Sequence, residues 1–559
     1  MRHRILVALA AFALALATAT SVLGDVTVAP GGGTPGTSAN FQLVGHNALF
    51  DRGLNAAPAI FDHFLYVGSR TDGSNSCGVG DPRRVPNAPP TFGDCPHEHP
   101  GILILDIKDP SDPEVVGEIG SPHAAQPGIS TRELRVWPEK KLLIVMTFRC
   151  SSVIHACQRP PAGVPGDVAF PFDIKFFDLS DPVHPRFIGN HVTRSAAGLA
   201  IKPHEFYLWI DPKNANRALL WESTPFSGAG STDPNRPQLV IEDISRVPGS
   251  FPGPDAAPVG TAAPVTLVAQ GNWNQFFPGA DNQANYDFDL ALHSMAPTAD
   301  GKTTHLAYLR GNYLTLDTSE VADNDIPQRT VLSLNDELLT PVPNRPRWGA
   351  GDICAGHTAA GCAESHSAVP VPGRHFELNV DEVYGTFTDA SFGWPWAWVR
   401  LIDVADPEHP TIVGEYKLFQ NSQAFQGSSG DDPATEQFTS YGSHNPTVLP
   451  NIAFDSWHSG GLQAIDIADP ARSAQGGWFS PKPLDDVANE DPALSRGPNK
   501  VVFWSYPIIK NGLIYVIDIR NGLYVLRYTG PHAADANGIT FFEGNSNLGD
   551  ALRLAGLAP

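Results

Sequence analysis

The chain has 559 residues, of which 59 are acidic and 37 basic, for a formal net charge of −22. That balance repels phosphate and excludes a nucleic-acid-binding protein, and a lone apolar run at the N-terminus excludes a polytopic membrane protein. Only 17% of residues are charged, 9% are aromatic, and Gly and Pro number 52 each, which fits many short strands joined by turns rather than a disordered chain.

Residues 1–24 are read as a secretory signal. Arg2 and Arg4 supply a positive start, residues 5–17 form an unbroken apolar run, and small residues follow. The run is short for a membrane span, so cleavage leaves no anchor, and the mature protein is expected to be secreted, periplasmic or on the cell surface. Residues 25–40, DVTVAPGGGTPGTSAN, are expected to be a flexible Gly/Pro-rich leader. The cysteines fall as three close neighbours, Cys77/Cys95, Cys150/Cys157 and Cys354/Cys362. Sequential disulfides are the economical pairing in an oxidising compartment.

From residue 41 to residue 530 one phrase recurs: an apolar strand ends in Asp, and an Asp- and Pro-rich turn follows. The copies are GILILDIKDPSDP (Asp106), IKFFDLSDPVHP (Asp178), LVIEDIS (Asp243), YLTLDTS (Asp317), VRLIDVADPEHP (Asp403) and GLQAIDIADP (Asp466), with GLYVLRYTGP carrying Arg527 instead. Two further strands precede each copy, and another follows. Alternation such as Leu103–Leu105 has the period of a strand, and Asp-Pro forces a turn. The spacing predicts an all-β fold, a single β-propeller of seven four-stranded antiparallel blades, with surplus residues in loops at 71–98, 149–165 and 349–364. A strand near residues 41–44 is expected to complete the last blade. The tail, 531–559, is expected to pack on or near the ring. The repeated Asp residues are read as turn caps rather than ligands.

The phrases GILILDIKDPSDP, FFDLSDPVHP and VRLIDVADPEHP resemble the LVIVD-repeat proteins, a family of secreted and surface β-propellers. The resemblance covers roughly residues 42–530 and implies a fold more than an activity. A one-blade stretch, FDSWHSGGLQAIDIADP, is similar to selenium-binding proteins, the copper-dependent methanethiol oxidases.

The inner strand of four successive units opens with histidine: KPHEFYLWIDP (His204), ALHSMAPTADG (His293), ESHSAVPVPG (His366) and GSHNPTVLPN (His444). Unit two has Arg132 there, and units one and seven have Ala56 and Ser505. Inner strands line the channel of a propeller, so equivalent positions form an arc around its axis. Four imidazoles at one mouth suit a transition metal, with copper or iron expected. Glu205, Glu133 and Glu364 are the carboxylates expected to orient those imidazoles, although strand alternation would turn Glu205 away from His204. Arg132 would orient an anionic group on a small molecule. Asp287 and Asp289 leave calcium open, against polar loop carboxylates. His97-Glu98-His99 is read as a solvated loop more than a metal site, and His458 as a surface or inter-blade residue.

Two functions follow. One is a metal-dependent oxidoreductase acting on a small molecule. The other is a non-catalytic extracellular module that binds protein or glycan, in which the histidines are hydrogen-bonded core residues. Under both, the protein is expected to be a monomer without a membrane span after signal removal.

Overall fold

The computed structural model describes residues 26–557 apart from 78–94, 151–156, 171, 226–230, 232, 234, 251–255, 277–290, 310–311, 325–329, 342–364, 383–397, 422–440, 485–486 and 488–500. The signal segment, Asp287, Asp289, Cys354, Cys362 and Glu364 lie outside the described residues.

The chain is a β-propeller. Among the described residues the strands form six sheets, the largest of which joins the first two of seven successive strand groups through Ser69 and Thr131. The first is Asn55–Phe61, Phe64–Ser69, Ile102–Asp106 and Glu114–Ile119. The second is Ile129–Trp137, Leu142–Arg149, Asp173–Asp178 and Arg186–His191, and the third is Glu205–Asp211, Asn214–Ser223, Leu239–Asp243 and Thr266–Gly271. The fourth has Ala291–Pro297, Thr303–Leu309 and Asn312–Asp317. The fifth is Ser365–Pro370, Phe376–Asp381, Val399–Asp403 and Thr411–Leu418, and the sixth is Asn445–Val448, Ile452–Ser456, Leu462–Asp466 and Ala474–Ser480. The seventh joins Ile508–Lys510, Leu513–Asp518 and Gly522–Tyr528 to the N-terminal strand Phe41–Asn47, which pairs antiparallel with Gly522–Tyr528. Among the described residues the fourth group has three full strands, and residues 337–340 run along the third, with Asp317 N donating to Glu337 O and Leu339 N to Thr315 O. Leu332–Ser333, which follows its third described strand, pairs in parallel with the outer strand of the third group.

The middle strands of each group are covered on both faces, so they read as apolar runs, and Ile102, Leu103, Ile104 and Leu105 are all fully buried. Each neighbouring pair of groups shares an apolar layer. Leu65, Val67, Leu103 and Leu105 of the first group pack with Leu513, Tyr515, Ile517 and Val525 of the seventh, which closes the circle. The thinnest layer lies between the fourth and fifth groups, where Ala307 and Tyr313 meet Ala368 and Ile402.

The repeated Asp residues cap turns. Asp106, Asp178, Asp243, Asp317, Asp403 and Asp466 each accept a hydrogen bond through Oδ1 from the backbone N–H two residues on, at 2.7–3.0 Å. The Asp-Pro turn then docks against a glycine in the outer strand of the preceding group. A Cβ on Gly414 would lie 2.0 Å from the carbonyl oxygen of Pro470, and one on Gly45 would lie 2.1 Å from that of Pro110. Only glycine lets the two backbones meet so closely.

The described part of the expected flexible leader, residues 26–40, carries two paired strands instead. Val26–Ala29 pairs in parallel with Thr411–Leu418, and Thr37–Ala39 pairs antiparallel with Ala474–Ser480. Outer strands leave a row of unpaired N–H and C=O groups, and this segment covers two such edges. The tail also joins the ring. Phe541–Glu543 pairs with Ile508–Lys510, the innermost strand of the seventh group. The chain then crosses the axis to the third group, where Asn545 O accepts from Leu208 N and Asn547 N donates to Leu208 O. Cys77–Cys95 and Cys150–Cys157 are disulfides.

Candidate metal centre

The inner strands carry the histidines in the predicted order, and a local irregularity aims them. The pairing register of inner and second strand skips between Leu292 and Ser294, between Ser365 and Ser367, and between Thr131 and Glu133. His293, His366 and Arg132 are therefore the extra residues of β-bulges, which re-aim side chains. His204 and His444 sit just before their strands, and His204 N donates to Ser223 O.

The four predicted histidines form one arc. Ring centroids are 4.4 Å apart for His204 and His293, 3.9 Å for His293 and His366, and 4.0 Å for His366 and His444. A fifth imidazole extends it: His458 lies 4.8 Å from His444 and is 1% exposed, so it is not at the surface; it sits between groups, 5.1 Å from Trp504. The start of an inner strand and the end of its antiparallel neighbour lie side by side. The loop after Ile452–Ser456 therefore delivers His458 to the same mouth as His444, through a backbone with φ 29°. The loop after Phe376–Asp381 delivers Glu382 in the same way. Its Oε2 is 3.6 Å from His366 Nε2, and its Oε1 is 3.2 Å from His444 Nε2 and 3.3 Å from His458 Nε2. Trp504 Nε1 also donates to Oε1, at 3.1 Å. His293, His366 and Glu382 offer ligand atoms within 4.8 Å of one another, and so do Glu382, His444 and His458.

The far edge of the His444 ring fixes its tautomer. His444 Nδ1 is 2.5 Å from the carbonyl oxygen of Trp504, and His366 Nδ1 is 3.1 Å from that of His444. A carbonyl only accepts, so His444 Nδ1 carries a proton and donates, whereas His366 Nδ1 is closer to Ser367 Oγ, at 2.7 Å, a hydroxyl that can donate as well as accept. In the neutral His444 ring the lone pair then sits on Nε2, which faces the Glu382 carboxylate. Burial pushes His444 down to about 3 and His293 down to about 4, and it holds His366 and His204 well below the usual imidazole range. Burial also opposes charge on Glu382, yet the positive charge that His444 and His366 would carry holds it well below the usual carboxylate range. The two demands conflict, because the carboxylate is ionised only beside a cation and the buried rings resist being that cation. An Nδ1 proton given to a carbonyl is present in the neutral and the charged ring alike, so each Nε2 meets Glu382 through either a proton or a cation that the two share.

Behind the arc, the residues after the bulged positions meet on the axis. Ser294 donates to Glu205, and Tyr506 Oη of the seventh group donates to Glu205 Oε1 at 2.7 Å. Burial raises Glu205 to about 7. Alternation predicted that Glu205 would point away, but its side chain faces the channel. It reaches His293 through Ser294, whose Oγ is 3.1 Å from His293 Nδ1. Glu133 lies by Arg135, at 3.5 Å, and is not brought to a histidine. The Arg132 guanidinium lies 5.4 Å from the centre of the Phe148 ring, and Phe148 stacks on His204 at 5.2 Å. Arg70 covers Trp504 at 3.8 Å.

His97 differs from the solvated loop that was expected. Its side chain is buried, 3.2 Å from Asp72 Oδ1, with Nδ1 2.7 Å from Asp72 O and Nε2 2.8 Å from Ser76 O. It is a structural clamp. Trp273 and Trp398 pack in the layers between groups.

No family model matches the chain, and no curated protein matches it. Solved structures match it weakly. YCF48 bound to D1 peptide is 8% identical with a TM-score of 0.39, over 91% of this chain and 99% of that one. Chaetomium thermophilum Sqt1 bound to the N-terminus of ribosomal protein L10 is 10% identical with a TM-score of 0.41, over 87% and 99%.

Proposed function

We propose that this chain is a secreted, seven-bladed propeller of the LVIVD-repeat type that binds a transition metal at one channel mouth, and that it is a metal-dependent oxidoreductase acting on a small molecule. The observation that carries the reading is the convergence of His293, His366, His444 and His458 on the buried Glu382 carboxylate, in two sets whose ligand atoms lie within 4.8 Å of one another. Lone pairs and a carboxylate repel one another unless a proton or a metal ion lies among them, and burial disfavours the protonated rings. A donor set of several imidazoles and one carboxylate suits copper or iron, and either ion, when bound, would supply one-electron chemistry. The chain's own residues do the rest. The Trp504 and His444 carbonyls hold the ring orientations, Trp504 Nε1 steadies Glu382, and Arg132 stands one aromatic ring from the arc, where it would orient an anionic group. Two disulfides support an oxidising compartment, and among the described residues no helix is long and apolar enough to cross a membrane.

Elemental analysis of protein purified without a His tag tests the reading. Bound copper or iron is expected, with retention reduced at least tenfold in His366→Ala and in His444→Ala. No transition metal in the wild-type protein, after incubation with either ion, overturns it.

A further inference from the structure

The arc is longer than one ion can use. A first-row metal holds imidazole nitrogen at about 2.0–2.1 Å, so donor atoms on one ion lie within roughly 4.2 Å of one another. The described donors separate into two triads, His293–His366–Glu382 and Glu382–His444–His458, with one residue in common. That residue divides its oxygens. Oε2 faces His366, and Oε1 faces both His444 and His458. A carboxylate with its two oxygens aimed at separate imidazole sets has the geometry of a bridge.

We infer that the mouth holds two copper ions bridged by Glu382, one on His293, His366 and Oε2, the other on His444, His458 and Oε1. This rests on the proposed metal centre and adds its nuclearity and its metal. His204 stands beside His293 at the end of the arc and adds a neutral imidazole on that side.

Charge selects copper. The two triads hold four neutral imidazoles and one carboxylate, all at most 8% exposed. Two cuprous ions bring two positive charges, and Glu382 leaves a net of one. Two ferrous ions would leave a net of three in the same buried space. Paired iron or manganese sites in proteins gather about four carboxylates and two histidines for that reason. This donor set inverts that ratio, and nearby Arg70 and Arg132 face the buried Glu133, so their charge is partly balanced. Imidazole also suits copper well.

Anaerobic titration of the metal-free protein with cuprous ion, against a competing chromogenic chelator, reads the number bound per chain. Two are expected for the wild type, one for His458→Asn, and at most one for Glu382→Gln, with folding of each variant checked by circular dichroism. One ion per wild-type chain overturns the bridged pair and leaves the metal centre standing. No ion overturns both. Two ions persisting in folded His458→Asn overturn the assignment of the second site. Glu382→Gln is close to isosteric and keeps the test open if the histidine variant does not fold.

Discussion

Asp72→Asn probes the clamp that ties the cysteine loops to the ring. Asp72 is fully buried, and its carboxylate receives five groups. Oδ2 accepts from Gly128 N and from Gln158 N at 2.8 Å, while Oδ1 accepts from Ser74 Oγ at 2.7 Å and Ser74 N at 3.2 Å and faces His97 at 3.2 Å. An Asn side chain places an NH₂ at one of those two positions. Either way it turns a donor toward at least two donors, and it removes the charge that His97 faces. Each buried bond left unmade costs about 1–3 kcal/mol, and breaking a buried pair from one side costs about 3–5 kcal/mol. The expected local cost is about 3–5 kcal/mol, so exchange protection of the Gly128 and Gln158 amides should fall roughly 10²- to 10⁴-fold. Hydrogen exchange read by mass spectrometry on peptides covering 126–131 and 157–160 measures it. The pH dependence has a definite sign. Both ring nitrogens of His97 face carbonyls, so the folded ring carries two protons. Burial works against that charge, but the bonds to Asp72 outweigh it and raise His97 above 6.5. Its contribution is complete below pH 6.5 and is lost as pH rises through the raised folded value. For Asp72, burial is outweighed by bonds from His97, Ser74, Gln158 and Gly128, which hold it below 3.8. Its contribution is present above pH 3.8 and is lost as pH falls through the lowered folded value. Protection in the wild type should therefore peak between those limits, and the peak should flatten in Asp72→Asn. Unchanged protection in the variant, or wild-type protection that rises steadily to pH 9, would refute the reasoning.

Gly414→Ala and Gly45→Ala should each destabilise the ring by about 1–3 kcal/mol, since the added Cβ meets a backbone carbonyl that can yield only by moving a turn. Gly120→Ala, which meets nothing within 4 Å, is the control and should stay within about 0.5 kcal/mol in urea unfolding. Asp403→Ala removes one exposed turn bond and should cost about 1 kcal/mol with metal content unchanged, which separates a capping role from a ligand role.

The ring was legible because its signals are local and repeated. Asp followed by Pro marks a turn wherever it stands, and four copies of that turn, with two more strands that end in Asp, place the strands around it. The glycine of VVGEI and IVGEY was also in view, but its reason lies in the next group, where the backbone of Pro470 or a counterpart presses in. Four ligand candidates, His204, His293, His366 and His444, came out because they share one position in the repeat. Glu382 and His458 have no repeat-wide counterpart of their own type, and periodicity alone does not find them. Antiparallel pairing was the signal that could have done so, because the loop leaving a second strand ends beside the start of the inner one. The 26–40 segment misled through composition. Its Gly and Pro residues describe a chain with little preference of its own, and the outer edges of the fifth and sixth groups supply the order instead.

The position of the arc depends on how the ring is held shut. Imidazoles from four groups converge only if those groups keep their angles, and an error of 1 Å in one strand would take a ring nitrogen out of reach of an ion. Two devices at opposite places provide that. Phe41–Asn47 joins the chain's beginning to its last group at the rim, with Gly45 seated under the turn of the first. The tail joins the seventh group to the third across the axis. Asn547 accepts from Ile210 N at 2.7 Å and donates to Ile210 O and Ala299 O, so it also reaches the fourth group. The third and fourth groups supply His204 and His293. The same strap therefore crosses one end of the channel and fixes the spacing of the strands that carry half of the predicted ligands at the other.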